Sequence, residues 1–165
     1  MSKCLSFKPQ INKKSKILIL GSMPGVKSLE EQQYYAHPQN RFWKIIGLLT
    51  GNKDLEKIDY KNKIEVILNN NFALWDVIKQ CRREGSLDSA IHNEIPNNIP
   101  KLLEKFPNIK IICLNGNKAY SAFKKYFPEL LANPNLRIYK MPSTSPANAR
   151  FQMPELIKEW KDVLN

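Results

Sequence analysis

Lys16-Ile17-Leu18-Ile19-Leu20-Gly21-Ser22-Met23-Pro24-Gly25 is the stretch on which the fold turns. Its aliphatic, partly β-branched run reads as a buried strand, and the abrupt change to Gly-Ser-Met-Pro-Gly reads as the turn that ends it. Working outward, 72–77, 109–114 and 136–141 have the same character, the third run stopped by Asn115-Gly116 and the fourth by Pro142. Between them, apolar residues at helical spacing predict helices over 40–49, 99–106, 118–126 and 154–164. Alternation of this kind predicts an α/β fold: one domain over 1–165, three α/β/α layers around a mainly parallel four-stranded sheet. In such sheets the loops beyond the carboxyl ends of the strands build the site. Here these are 21–25, 77–85, 115–118 and 142–150.

Bulk properties narrow the partners. The chain has 165 residues, 42% of them hydrophobic, enough for one real core. Its formal charge of +11 favours a polyanion. Cys4, Cys81 and Cys113 are dispersed and form no CxxC, so neither a disulfide framework nor a metal site is expected, and a reducing cytoplasm is the expected home. No apolar run is long enough to span a bilayer.

Four clusters stand in the predicted loops. Gly21, Ser22, Met23, Pro24 and Gly25 let backbone approach a ligand closely in a fixed turn, or are only a turn. The segment Tyr34-Tyr35-Ala36-His37-Pro38-Gln39-Asn40-Arg41-Phe42-Trp43 offers aromatic faces and polar donors together. There Phe42 and Trp43 read as core, Asn40 as either a helix cap or a functional amide, and His37 as either structural or functional. Ser143, Thr144 and Ser145, held between Pro142 and Pro146 and followed by Asn148 and Arg150, form a stiff loop suited to phosphate oxygens. Asp76 and Asn115 end strands, where each is a turn or cap residue or a reader of a base edge. There is no GxGxxG and no GxxxxGK[ST], which argues against an enzyme of free nucleotides.

Taken in order, GSMPG, AHPQNRFWK, ALWDV, LNGNKA and PSTSPANA resemble the hypoxanthine-DNA glycosylase branch of the uracil-DNA glycosylase superfamily, from about Lys16 to the last helix. AHPQNRFWK also resembles the mismatch-specific uracil and thymine glycosylases. The resemblance implies a DNA repair glycosylase that hydrolyses the N-glycosidic bond of a flipped, deaminated base, hypoxanthine by preference. It implies a monomer without cofactor, acting on double-stranded DNA. Families whose first loop reads GINPG place a water-positioning Asn at the position of Met23, and Met23 is a poor hydrogen-bonding partner for water. The hypoxanthine branch instead takes its essential amide from the HPxN segment, which makes Asn40 the catalytic residue. Tyr35 is then the aromatic that stacks on the extruded base, and Asp76 a base reader. Ser143, Thr144, Ser145, Pro146, Asn148 and Arg150 belong to the loop that holds the backbone and wedges into the vacated space. Families with HPSP in that loop steady the leaving base with its His; Met141 stands there, so another donor must serve. Two alternatives stay open: a G:U or G:T mismatch uracil-DNA glycosylase, and a non-catalytic DNA-binding relative.

Overall fold

The computed structural model describes residues 2–165. In chain order the elements are β1 (Ser2–Leu5), β2 (Ile17–Gly21), α1 (Val26–Glu31), α2 (Phe42–Thr50), α3 (Tyr60–Asn69), β3 (Phe72–Asp76), β4 (Ile78–Arg83), β5 (His92–Pro96), α4 (Ile99–Lys105), β6 (Ile111–Asn115), α5 (Asn117–Tyr126), α6 (Pro128–Leu131), β7 (Arg137–Met141) and α7 (Met153–Leu164). Single 3-10 turns occupy Leu55–Lys57 and Asp88–Ala90. Among the described residues no helix is long and apolar enough to cross a membrane.

The four expected strands form one parallel sheet in the order β3-β2-β6-β7. β2 is central, and its alternation divides the core. Leu18 and Leu20 face one side with Ala73, Ile112, Leu114 and the α5 residues Ala119, Ala122 and Phe123. Ile19 faces the other with Leu74, Cys113 and side chains of α2, α3 and α7. Helix α7 shows why its segment is helical: Leu156, Trp160 and Leu164, spaced by four, are its buried stripe. These are the three expected layers around the four-stranded sheet.

A second sheet departs from the expectation. The sequence predicts a loop over 77–85, but Ile78–Arg83 is a strand, pairing antiparallel with β1 and β5 in the order β1-β4-β5. Its alternation buries Ile78, Cys81 and Arg83 while Lys79 and Arg82 face solvent. Partners 75 to 81 residues earlier and 10 to 18 later make the strand, and no local run of apolar residues announces it.

Registration sets the site. Gly21 pairs with Asp76, and Asn115 pairs with Met141, so all four strands of the main sheet finish at one level.

Candidate active site

Beyond that level lies a cavity of about 950 Å³. All the site residues anticipated from sequence line it: Gly21 to Gly25, Tyr35, His37, Asn40, Asp76, Asn115, Ser143 to Pro146, Asn148 and Arg150. Their individual geometries differentiate them.

Asn40 stands just ahead of α2. Its Oδ1 accepts from the Phe42 N–H (2.9 Å), and its own N–H donates to the His37 carbonyl (2.9 Å). Because a backbone N–H can only donate, the amide oxygen must face the helix, and the Nδ2 hydrogens remain for a ligand or water. Asn40 is therefore a cap and an available amide at once. The Gln39 N–H donates to His37 Nδ1 (3.1 Å), which puts the proton of the neutral ring on Nε2.

Tyr35 adopts φ +55°, a left-handed conformation that costs a non-glycine residue about 1–2 kcal/mol. Stacking on Phe42 offsets that, with ring centroids 3.9 Å apart and planes 20° from parallel. Phe42 thus backs one face of a ring that lines the cavity. Burial, then the nearby Asp76 charge, keep the Tyr35 hydroxyl protonated, the hydrogen bond from Asn115 working slightly against them.

Asn115 is held at both ends of its amide. Its Nδ2 donates to the Tyr35 hydroxyl (3.3 Å) and to Thr144 Oγ1 (3.1 Å), while its Oδ1 accepts from the Thr144 N–H (3.1 Å). Whichever of the turn and base-reading roles it serves, the side chain also ties Tyr35 to the last loop.

Asp76 is different. It is 3% exposed, and its Oδ2 is buried without any hydrogen-bond partner. Burial pushes its carboxyl up to about 8, the Arg83 guanidinium pulling it back and Asp88 adding to the rise. An orphaned buried oxygen is costly unless a ligand satisfies it, which makes Asp76 a candidate recognition group. The absence of a side chain at Gly21 makes this possible, since a Cβ there would lie 2.7 Å from Asp76 Oδ1. Gly21→Ala is expected to cost roughly 1–3 kcal/mol by overpacking, read as a lower urea midpoint; a midpoint equal to the native one would show that the carboxyl moves freely.

The 142–151 loop is prestiffened. Ser143 Oγ accepts from the Ser145 N–H (3.1 Å), Ser145 Oγ accepts from the Ala147 N–H (3.2 Å), and Asn148 Nδ2 donates to the Ser143 carbonyl (2.9 Å). Both serine hydroxyls accept inside the loop, so their hydrogens are free to donate outward, as a phosphate requires. Trp160 Nε1 holds the loop to α7 through the Pro142 carbonyl (3.1 Å). Gly116, at φ +101°, lets the turn into α5 pass beneath, since its Cβ would sit 3.1 Å from that of Ser143.

Two groups were not anticipated. Arg41, which follows Asn40, donates to the carbonyls of Thr144, Ser145, Asn148 and Phe151. Its signal was an arginine wedged between a polar cap and an apolar helix, where a solvated charge has no reason to be. The segment 86–91 forms the far wall: the Ser22 hydroxyl donates to Asp88 Oδ1 (2.6 Å), the Val26 N–H donates to Ser86 Oγ (2.8 Å), and the buried Arg83 donates to the Pro24 carbonyl. Its signal is the turn-rich Gly85-Ser86-Leu87-Asp88-Ser89, which begins at the last residue of the expected loop and runs beyond it. Lys118, also lining the cavity, is paired to Glu94 at 2.8 Å.

Met23, the third residue of the first loop, is 6% exposed and packs into the core beside Leu18 and Leu20. The first loop thus supplies backbone and no side-chain amide.

Residues 8–164 match the model of the uracil DNA glycosylase superfamily. A hypoxanthine DNA glycosylase of Methanosarcina acetivorans is 38% identical over 157 residues, 95% of each chain. A protein of the same name from Methanosarcina barkeri is 42% identical over 113 residues, 68% of this chain and 71% of its own. A solution NMR structure of a candidate uracil DNA glycosylase from Methanosarcina acetivorans superposes with a TM-score of 0.84 at 37% identity, covering 99% of this chain and 97% of that one. By sequence and by fold, the chain belongs to the uracil DNA glycosylase superfamily.

Proposed function

We propose that the protein hydrolyses the N-glycosidic bond of a deaminated base in double-stranded DNA, hypoxanthine before others, and leaves an abasic site. The observation that carries this reading is the contrast between Met23, packed into the core, and Asn40, held at the cavity wall with its Nδ2 hydrogens unspent. Relatives named hypoxanthine DNA glycosylase support the choice of base. DNA lies across the carboxyl ends of the sheet, its phosphates on the outward hydroxyl hydrogens of Ser143 and Ser145. The damaged nucleotide turns out of the stack into the cavity and rests on Tyr35. In this reading the protein acts as a monomer.

Asn40 holds the water. An amide is a weak base, so its contribution is position, and the cation-like sugar supplies the driving force. As the C1′–N bond breaks, its electron pair passes to the base, which takes a proton from neutral Asp76; the water oxygen bonds C1′ and sheds its proton to solvent, and solvent reprotonates the carboxylate. Asp76 is thereby the donor that replaces the histidine missing at Met141.

A pH profile follows from the raised carboxyl. Single-turnover excision should fall as pH rises through about 8, where Asp76 ionises, and Asp76→Asn should flatten that limb. Stability follows the same proton: the penalty on folding is absent below the ordinary value of 3.8, grows between 3.8 and about 8, and is constant above. Asp76→Asn should therefore raise the melting temperature more at pH 8 than at pH 5; an equal rise at both would assign the titration elsewhere.

The function is tested on duplexes bearing hypoxanthine, uracil, a thymine mismatch or xanthine, with alkaline cleavage of abasic sites as readout. Hypoxanthine should be released fastest. Fastest release of uracil opposite guanine would make the protein a mismatch uracil glycosylase, and tight binding with no cleavage would make it a non-catalytic DNA-binding relative.

A further inference from the structure

Leu87 is the most exposed of the large hydrophobic side chains among the described residues. It is 59% exposed at the rim of the cavity, next to Val26 at 42%, and these two belong to a small set of large hydrophobic side chains exposed among the described residues. An isolated exposed leucine is ordinary, but this one is held in place on both sides. Ser86 before it accepts from the Val26 N–H, Asp88 after it accepts from the Ser22 hydroxyl, and its own carbonyl accepts from the Ala90 N–H (3.1 Å). Arg83 ties the segment to the first loop through the carbonyls of Pro24 and Ser86. The fold thus spends several hydrogen bonds on holding an aliphatic side chain in water at the mouth of its binding site.

Across the mouth, the one large apolar side chain of the 142–151 loop, Phe151, is half-buried and packed against the core that includes residues of α2 and α7. Pro146, Ala147 and Ala149 are the loop's exposed apolar residues, none of them long enough to fill the space a base leaves. An extruded base leaves a gap in the stack, and apolar side chains inserted at a base step hold such gaps open.

We infer that Leu87 is the wedge: it enters the duplex at the lesion from the 86–91 wall and holds the damaged base in the cavity, with Val26 covering the adjoining step. This rests on the glycosylase reading above and adds a division of labour. The 142–151 loop grips phosphate, and the opposite wall keeps the helix open. Leu87 is a positioning residue, acting on the flipped state and not on the bond that breaks.

The test compares single-turnover excision of hypoxanthine from a duplex and from the same strand unpaired, because only the duplex has a stack to hold open. Leu87→Ala should lower the ratio of duplex to single-strand rate about tenfold or more, and Leu87→Met should restore it. In parallel, 2-aminopurine beside the lesion should brighten when the native protein binds the duplex and brighten less with Leu87→Ala. A ratio unchanged in Leu87→Ala, or an equal fall on both substrates, would overturn the wedge while leaving the glycosylase standing. Release of no base from either substrate by the native protein would remove the glycosylase reading itself, and the wedge with it.

Discussion

Asn40→Ala is expected to lower single-turnover excision of hypoxanthine from a duplex by about 10²- to 10³-fold, the scale on which enzymes lose rate when one preorganised polar group at the reacting centre is removed. The side chain does two things, and the experiment must separate them. Its oxygen caps the start of α2 by accepting from the Phe42 N–H, and Phe42 is buried beneath Tyr35. Losing a cap costs about 1 kcal/mol of stability. A poor α2 start would disturb the stacking surface and mimic a catalytic defect. Asn40→Ser resolves this, because serine caps as well as asparagine but is too short to carry an amide to the water. The serine variant should melt near the native temperature and still be as slow as the alanine variant. Recovery of excision in Asn40→Ser would reduce Asn40 to a cap and leave the water without its holder.

The main sheet was readable because its strands are buried on both faces. Runs such as 16–20 and 109–114 have no polar alternation to confuse them, and Gly21 and Asn115-Gly116 end them sharply. The second sheet was not, because Ile78-Lys79-Gln80-Cys81-Arg82-Arg83 becomes a strand only through Ser2–Leu5 and His92–Pro96. Helix α3 escaped for a related reason: Ile67 is its one fully buried side chain, too little for an apolar stripe. In the site, residue types were legible and assignments were not. Asn115 reads identically in sequence whether or not it holds Thr144, and its 3.1 Å contacts with that residue, 29 positions later, needed the fold. Met23 was legible as the wrong residue for holding water, but its burial beside Leu18 needed the fold.

Arg41→Ala is expected to be the more damaging change to the molecule as a whole, although Arg41 touches no reacting atom. One guanidinium gathers the carbonyls of Thr144, Ser145, Asn148 and Phe151, the Ser145 and Asn148 contacts at 2.8 and 3.0 Å, while the Arg41 N–H takes Thr144 a second time at 3.0 Å. These four acceptors lie on a loop with no regular structure, so their hydrogen bonds have no ladder to fall back on. The planar fork of five N–H donors meets several acceptors at once, which a lysine ammonium on a flexible stem does not. Hydrogen bonds to a charged donor are worth about 1.5–3 kcal/mol each, and water will recover part of the loss on this half-buried loop. A net destabilisation of about 3 kcal/mol is expected, lowering the melting temperature by about 10 °C in a chain of this size. The functional loss should be larger than stability alone explains. Asn115 reaches the same loop from below through Thr144, so freeing its upper side also loosens Tyr35, which shares Asn115. Excision should fall about a hundredfold, as when reacting groups lose their alignment, duplex affinity should fall with it, and Arg41→Lys should recover only part of either. Amide exchange at 143–151 should quicken in step. A variant that exchanges, binds and cleaves like the native protein would show that the loop holds its shape through its own serines and Asn148, without the arginine.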